Sequence, residues 1–431
     1  MRVRVETTPE TNAMTRLYRN SLVVFLLAVI SGCASEALMD KQWPMGPGPG
    51  DVYREYTYAR RFGEVDPEAP NPAAEESKQK AGLPRRVVIK DLYGATAAEV
   101  SVQYWGGHIG TSDQKFHLNG SEWFQIPQPV GMRTEPQAYY RTIVGDNPVS
   151  IPLSLIEQGV NTFQFRSGPQ IRYGWGVGLF WVYSFTARIY YDPSKPHVSG
   201  QIVSPAAGQT IGENPTIVSE VDGDPQQVRQ VDFIGLYEDY DWEGNGLFRQ
   251  WHWQYKDGVI ARHIATVVEP PYRATWDTTW VPDQDRPISI MARIVGSDGT
   301  IHTTPAVSGL TLDRGGRSVK MYKASKIPEN FGVRAGRKKW CMVNVPDSLD
   351  GAVRAKLVLH TWSAAHAEDI GLNDHKLIDK VGPVHDYSFD SIPVPVELLK
   401  PHNKFYIYSS TEHHAAEVNW PGPVLLVEFA N

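Results

Sequence analysis

Cysteine is scarce in this sequence: only Cys33 and Cys341 occur among its 431 residues. A framework of several disulfides is therefore excluded. The fold must be held by burial of an apolar core, which a chain of this length can form. Cys341 lies in the apolar stretch 340–345. That setting predicts a buried packing thiol rather than a nucleophile.

Long hydrophobic runs and an excess of one charge are also missing. After residue 32 no segment is apolar for about 18 residues, so the sequence predicts no later transmembrane helix. The 42 basic and 48 acidic residues give a net charge of −6. This balance argues against a nucleic-acid partner, because such a partner requires a basic surface. No Gly-x-Ser-x-Gly elbow, phosphate-binding glycine loop or dinucleotide fingerprint occurs, so the corresponding enzyme classes are not indicated.

The N-terminal region has the layout of an export signal. Arg16 and Arg19 precede the uncharged stretch 21–30 (SLVVFLLAVI), which is too short for a membrane-spanning helix of about 20 residues. Residues 30–33 (ISGC) resemble the lipobox of bacterial lipoproteins. The resemblance implies that the signal peptide, 1–32, is removed and that Cys33 becomes the lipidated first residue. The alternative is an ordinary signal peptide that contains a cysteine.

The same resemblance implies a location. Proteins with a lipobox are held at a membrane of the bacterial cell envelope by their lipid. Ala34, in place of an aspartate, is compatible with sorting to the outer membrane of a Gram-negative host. We therefore expect a lipid-anchored envelope protein, either periplasmic or exposed at the cell surface.

Residues 33–80 are predicted to form a disordered tether after the lipidated cysteine. Proline and glycine are dense in 44–50 and proline and acidic residues in 66–76. Such a composition suits neither a strand ladder nor a helix, and the acidic charges favour an extended chain. The aromatic stretch 52–62 (VYREYTYARRF) is the part of this tether best suited to docking on the first domain.

From residue 81 onward the sequence predicts an all-β protein. Alternating or β-branched and aromatic stretches are separated by Gly, Pro, Asn and Asp at short intervals, and few amphipathic helical patterns compete. We predict three tandem β-sandwich domains: 81–195, a jelly roll; 196–315, an immunoglobulin-like domain; and 316–431, a second jelly roll.

The middle domain resembles bacterial immunoglobulin-like domains. The resemblance depends on several spaced elements: 202–210 (IVSPAAGQT), 231–233 (VDF), 271–277 (PYRATWD), 288–294 and 296–299 (GSDG). The chain departs from that family in a long insert, residues 237–258.

The last domain repeats features of the first. Leu118-Asn119-Gly120 parallels Leu372-Asn373-Asp374, and the segment ending at Asn161 parallels the one ending at Asn403. A tight turn, a later Pro-x-x-Leu-x-x-Gly-x-Asn segment and an alternating strand resemble galactose-binding-like jelly rolls, where Asn and Gly occupy positive-φ turns. A chance match of turn residues is the alternative.

Aromatic side chains are the main candidates for ligand contact, because their faces pack against the C–H patches of sugar rings. Trp175 lies between two glycines in a predicted loop, which favours exposure. Core packing is the strong alternative for Trp105 and other strand aromatics. The candidate ligand-binding residues are Trp105, Trp123, Tyr139, Tyr140, Trp175, Trp251 and Trp253.

The insert also contains a run of alternating oxygen donors that suits a structural calcium ion. Its members are Asp239, Asp241, Glu243 and Asn245. The spacing differs from that of an EF-hand, so a solvated acidic hairpin is the alternative. Histidines concentrate in 360–414, but none has a metal-site spacing, and we expect surface histidines there.

These features lead to one principal functional hypothesis and two rivals. The principal one is a lipid-anchored, non-catalytic cell-envelope protein that binds a carbohydrate or an envelope protein, without a required cofactor. The first rival is a polysaccharide hydrolase or lyase, or its accessory subunit, with dispersed catalytic acids whose separation the sequence does not give. The second is a structural envelope subunit that oligomerises through its sheet edges.

Overall fold

The computed structural model describes residues 46–69, 75–132, 143–145, 147–171 and 177–430. Within these ranges the only α-helix is Glu75–Lys80 (α1), and the other regular elements are strands and single 3-10 turns. The predicted all-β class, with its sandwich architecture, is therefore confirmed. No helix of the described ranges has the length and apolar character needed to cross a membrane.

Residues 52–191, called here the N-terminal module, surround one cluster of buried apolar side chains. A four-stranded sheet, ordered β3-β9-β5-β6, covers one side of this cluster, and the long strands β10 and β4 cover the other. The strands are β1 (Val52–Tyr58), β2 (Phe62–Val65), β3 (Arg85–Ile89), β4 (Ala95–Trp105), β5 (Lys115–Leu118), β6 (Phe124–Gln125), β7 (Ile143–Val144), β8 (Pro148–Ser150), β9 (Gly159–Arg166) and β10 (Leu179–Tyr191).

Residues 198–312, the middle module, surround a second buried cluster that includes Phe233, Trp276 and Ile290. Its central strand β20 is buried along its whole length. The strands are β11 (Ser199–Ser204), β12 (Thr210–Ile211), β13 (Thr216–Asp222), β14 (Val228–Glu238), β15 (Arg249–His252), β16 (Gln254–Lys256), β17 (Val259–Ala261), β18 (Ala265–Val267), β19 (Arg273–Thr275), β20 (Ile288–Gly296), β21 (Thr300–Thr303) and β22 (Val307–Leu312).

Residues 317–430, the C-terminal module, surround the third cluster, in which Cys341 is fully buried. Burial raises the pKa of that thiol, consistent with the packing role predicted for it. The strands are β23 (Arg317–Ser325), β24 (Gly332–Val333), β25 (Arg337–Asn344), β26 (Ala352–Trp362), β27 (Asp369–Leu372), β28 (His375–Ile378), β29 (Tyr387–Val394), β30 (His402–Ser409), β31 (Ala416–Val418) and β32 (Val424–Ala430).

The prediction of a disordered tether is wrong for residues 52–65. Strand β1 pairs with β10 over its full length, from Val52 opposite Tyr191 to Tyr58 opposite Phe185, and it also pairs with β21 of the middle module. Strand β2 pairs with β10 as well. The segment becomes ordered because it fills the open edge between the two modules and thereby satisfies the backbone groups of both.

The N-terminal and C-terminal modules each contain the same asparagine clasp, a set of side-chain hydrogen bonds that ties the repeated turn to a later asparagine. Asn119 has φ 49° and donates its amide hydrogens to Leu155 O and Asn161 Oδ1, while its own Oδ1 accepts from the backbone of Thr162. In the C-terminal module Asn373 has φ 51° and makes the same three bonds, to Leu398, Asn403 and Lys404. The sequence parallel thus corresponds to an identical hydrogen-bond pattern.

Aromatic side chains join the N-terminal and C-terminal modules. Trp105 stacks on Trp362 with ring centroids 4.7 Å apart, and the indole of Trp362 donates to the Tyr183 hydroxyl. From residue 45 onward the chain clusters as a single compact unit. The boundaries of three separate domains therefore stay a prediction.

Candidate functional site

A pocket of about 310 Å³ lies on the outer face of the four-stranded sheet of the N-terminal module. Alternate residues of β5 and β9 point outward there because side chains alternate across a strand. The loop between β2 and α1 and the residues that follow α1 form the opposite wall. The lining includes the side chains of Trp123, His117, Gln164, Arg166 and Lys78.

Trp123 is the exposed aromatic face of this pocket. It follows the tight turn at Asn119, and 42% of its surface is exposed. The edge of the His117 ring lies against it, with centroids 4.4 Å apart, and the ammonium of Lys115 lies 5.7 Å from its ring. Packing from these two neighbours fixes the indole while leaving a face open to solvent.

Three cations near Trp123 are each paired with an acid. Arg166 bonds to Glu68 at 2.9 Å, Lys78 to Glu75 at 3.0 Å, and Lys115 forms an ion pair with Asp113. Burial lowers the pKa of His117, so its imidazole is neutral at pH 7 and can both donate and accept hydrogen bonds.

This combination suits a neutral, hydroxyl-rich ligand. The exposed part of the indole can pack against C–H groups, and the His117 imidazole lies at its side as a polar group. The Gln164 amide beside it donates to Gly82 O. None of the described residues that line the pocket is an aspartate or glutamate.

Two predicted ligand-binding aromatics are buried, and their assignment as surface contacts is wrong. Trp105 is 5% exposed, stacks on Trp362 and donates its indole N–H to Glu417. Trp253 is 2% exposed and lies between the guanidinium groups of Arg188 and Arg293, 5.0 and 4.6 Å from its ring. Both rings fill contacts between modules, where the outer face of one sheet is covered by the next module.

The remaining aromatic candidates fall into two groups. Trp251 is half-buried on β15, where it packs against the cluster of Ile234, Trp253 and Met291. The residues that lie outside the described ranges are Tyr139, Tyr140, Trp175 and the predicted lipidation site Cys33. Trp123 is therefore the predicted aromatic that the structure places in an open pocket.

The acidic residues of the insert accept hydrogen bonds mainly from other groups of the insert. Asp241 accepts from the backbone N–H groups of Asn245 and Gly246, and Asp239 accepts from the indole of Trp242. Glu243 accepts from Gln250 and lies 3.3 Å from His252 Nδ1. Throughout the described ranges no group of three His, Cys, Asp or Glu side chains is placed to hold a metal ion. This arrangement does not support the predicted calcium site.

The acidic residues of the insert are buried because the insert packs closely against the N-terminal module. A Cβ on Gly244 would lie 1.8 Å from Ile143 O, and one on Gly246 would lie 1.9 Å from Val130 O, so both glycines permit contact with the N-terminal module. The same burial, together with the charge of Glu243, raises the pKa of Asp241 to about 7. The insert is thus a joint between modules, not a solvated hairpin.

The histidines of the C-terminal module are closer together than the sequence suggested. The rings of His385 and His414 have centroids 4.4 Å apart, and His366 lies 6.0 Å from His385. Burial and the neighbouring imidazoles lower the pKa of both His366 and His414. His360, by contrast, is fully buried, which corrects the expectation that it lies at the surface.

Sequence reasoning identified Trp123 but missed its polar neighbours. His117, Gln164 and Arg166 occupy outward positions of the alternating strands β5 and β9. Strand periodicity alone could have placed them on one face, because residues two apart share a face. What it could not provide was the pairing of β5 with β9, which brings His117 opposite Gln164.

Comparison with known proteins gives no family assignment. No family model matches the chain, and no curated protein matches it. Among solved structures, BuGH86wt in complex with neoagarooctaose is similar with 9% identity and a TM-score of 0.23, over 56% of this chain and 35% of that one. A β-porphyranase of glycoside hydrolase family 86 from the human gut bacterium Bacteroides plebeius gives 13% identity, a TM-score of 0.22, and 55% and 37% coverage. Scores this low do not establish a shared fold or activity.

Proposed function

We propose that this protein is a lipid-anchored, non-catalytic component of the bacterial cell envelope that binds carbohydrate through its β-sandwich modules. The observation that carries the proposal is the Trp123 pocket, where an open indole face lies beside the neutral polar side chains of His117 and Gln164. Its volume of about 310 Å³ suits a short stretch of sugar residues rather than a protein surface.

Binding without cleavage is supported by the position of the acids. Within the described residues, the pocket lining has no carboxyl group. Asp241 and Glu243, the acidic pair of the insert, are 0% and 1% exposed and face the chain's own donors. A substrate could not reach either group without unpacking the joint between the modules.

The lipid anchor rests on the lipobox-like sequence at 30–33 and on the basic and apolar residues before it. A lipid on Cys33 would leave residues 34–51 to link the membrane to strand β1, the first strand of the sheet. The anchor would thus hold the binding pocket close to the membrane surface, where an envelope polysaccharide is the expected ligand.

The test of this function is a substitution in the pocket. The full chain, purified in detergent, is applied to an array of neutral oligosaccharides that includes β-glucans, mannans, galactans and N-acetylglucosamine polymers. Trp123→Ala is expected to weaken retention by about tenfold or more, because a buried aromatic contact dominates such a site. Trp340→Ala is the matched control: it removes an equally exposed tryptophan, 43% against 42%, from the C-terminal module.

Two outcomes would contradict the proposal. One is retention that is equal for the Trp123→Ala and Trp340→Ala proteins, since the indole would then contribute nothing specific. The other is release of new reducing ends or unsaturated products when the protein is incubated with a retained polysaccharide, which would favour the hydrolase or lyase alternative.

A further inference from the structure

A second and larger cavity lies where the middle module meets the C-terminal module. Its volume is about 800 Å³, and strands β26 and β29 of the C-terminal module form its floor. Trp280 reaches into it from the middle module. The Trp123 pocket lies within the N-terminal module and shares no residue with this cavity.

Trp280 is held in place by packing on one side and by cations on the other. Its ring packs against the apolar cluster of Val358, Val424 and Leu426. The ammonium of Lys356 lies 4.7 Å from the ring centroid and the guanidinium of Arg354 lies 5.2 Å from it. The ring therefore stabilises positive charge at the floor of the groove.

Lys356 is the cation that the protein leaves available. Arg354 bonds to Glu428, and Lys376 forms an ion pair with Asp379. Within the described part of the chain the Lys356 ammonium makes neither a hydrogen bond nor an ion pair, although Asp239 and Asp277 act on it from longer range. Burial removes water from this ammonium and lowers its pKa.

The walls of the groove are apolar, and its rim carries one acid. Pro393, Pro395 and Leu377 line the walls, and Val353, which is 47% exposed, extends them to the surface. Glu397 lies at the exposed rim. A ligand that fits must combine apolar faces with an anionic group that reaches the floor.

The geometry points to a second ligand site in this groove, which takes a segment of an acidic polysaccharide whose sugar rings carry carboxylate or sulfate groups. The anionic group would bond to Lys356, and the ring faces would pack against Trp280 and the prolines. The two sites differ in the charge of the ligand that they suit. The cations near Trp123 are already paired with acids, whereas among the described residues the Lys356 ammonium is not. The inference does not depend on that pocket.

The experiment is calorimetric titration of the full chain, purified in detergent, with three probes. They are an oligogalacturonate, a sulfated carrageenan oligosaccharide without uronate, and a neutral galacto-oligosaccharide. We expect Lys356→Met to weaken binding of the acidic probes by about tenfold or more, because a charge-assisted hydrogen bond is lost. Lys356→Arg retains the charge and should recover much of that affinity, whichever acidic probe binds.

Glu397→Gln provides a test in the opposite direction. Removing the rim carboxylate should strengthen binding of acidic probes by about twofold, because a like charge is removed, and the gain should shrink as salt is added. Trp340→Ala, which removes an exposed tryptophan of the C-terminal module outside the groove, should leave acidic binding unchanged. The inference is overturned if acidic and neutral probes bind equally, if Lys356→Met binds as the unmodified chain does, or if Glu397→Gln weakens binding.

Discussion

Glu64 is a carboxyl group that the fold buries completely. Its Oε2 accepts from the backbone N–H of Gly82 at 2.6 Å, and Arg85 approaches its Oε1 only to 3.7 Å. Burial outweighs both interactions and raises the pKa of Glu64 to about 8. At neutral pH the folded protein therefore holds this side chain in its protonated form.

The raised pKa predicts a stability that falls as pH rises. Below about pH 4.5 the carboxyl is protonated in both the folded and the unfolded chain. Between there and pH 8 only the unfolded chain releases its proton, so unfolding becomes easier. Glu64→Gln lacks this effect: it should nearly match the unmodified protein at pH 5 and exceed its free energy of unfolding by about 4 kcal/mol at pH 8.5.

Urea unfolding at the two pH values measures this difference. Glu220→Gln, at an exposed position of β13, is the control and should show no pH-dependent gain. A constant difference between Glu64→Gln and the unmodified protein across the pH range would show that Glu64 is not protonated in the fold.

Individual tryptophans show how far a residue type predicts a role. Trp123 and Trp105 both occur in strand-like surroundings of the N-terminal module. One ends in an open pocket and the other in a stack with Trp362, 257 positions further along the chain. Sequence reasoning named both as candidates and gave core packing as the strong alternative for Trp105. It could not identify Trp362, the partner that buries Trp105, because Trp362 is distant in sequence.

At the scale of elements, the asparagine clasp was visible in the sequence. The repeated Leu-Asn turn and the later Gly-x-Asn and Pro-x-Asn segments indicated positive-φ turns, and the structure adds the bonds that connect them. Asn161 and Asn403 are fully buried and each makes four hydrogen bonds with protein groups. The clasp ties the tight turn of each module to its long strand.

Replacement of either clasp residue should destabilise its own module. Asn161→Ala and Asn403→Ala each remove one side chain with four bonds, and we expect each to cost about 2–4 kcal/mol of unfolding free energy, because the former partners stay buried. Urea unfolding followed by intrinsic tryptophan fluorescence measures the loss. Asn344→Ala, at an exposed strand end, is the matched control; an equal loss there would contradict a special role of the clasp.

Strand β1 is an ordered element in a region whose composition predicted a disordered tether. Its neighbours in sequence are rich in proline, glycine and acid, which led to the tether prediction. Its own residues include three tyrosines, of which Tyr53 is fully buried, and the Glu55 side chain is 9% exposed. Ordering comes from the open edges of β10 and β21, which no local window of sequence contains.

At the scale of the whole molecule, buried charges join the N-terminal and middle modules. Glu55 on β1 bonds to Arg188 and to Arg293, both at 2.9 Å, and Arg293 also bonds to Asp232 at 3.1 Å. The pKa of Glu55 is lowered although burial opposes this, because the two guanidinium groups favour its ionised form. A single sheet of 13 strands continues through this joint.

The proposed membrane anchor belongs to the same scale, since it would place the whole molecule. Cys33→Ala should move the protein from the membrane fraction to the soluble fraction, because a lipid chain cannot be attached without the thiol. Fractionation followed by immunoblotting measures the shift. Cys341→Ala is the control and should stay with the membrane; unchanged fractionation of Cys33→Ala would contradict the anchor.

The sequence by itself determined the all-β class and the asparagine turns, because strand alternation and positive-φ turns depend on neighbouring residues. The tertiary structure decided which aromatics are open and which acids are paired. It also created the Trp280 groove, whose walls come from segments more than 70 residues apart. Burial depends on contacts between distant strands, and no local pattern carries that information.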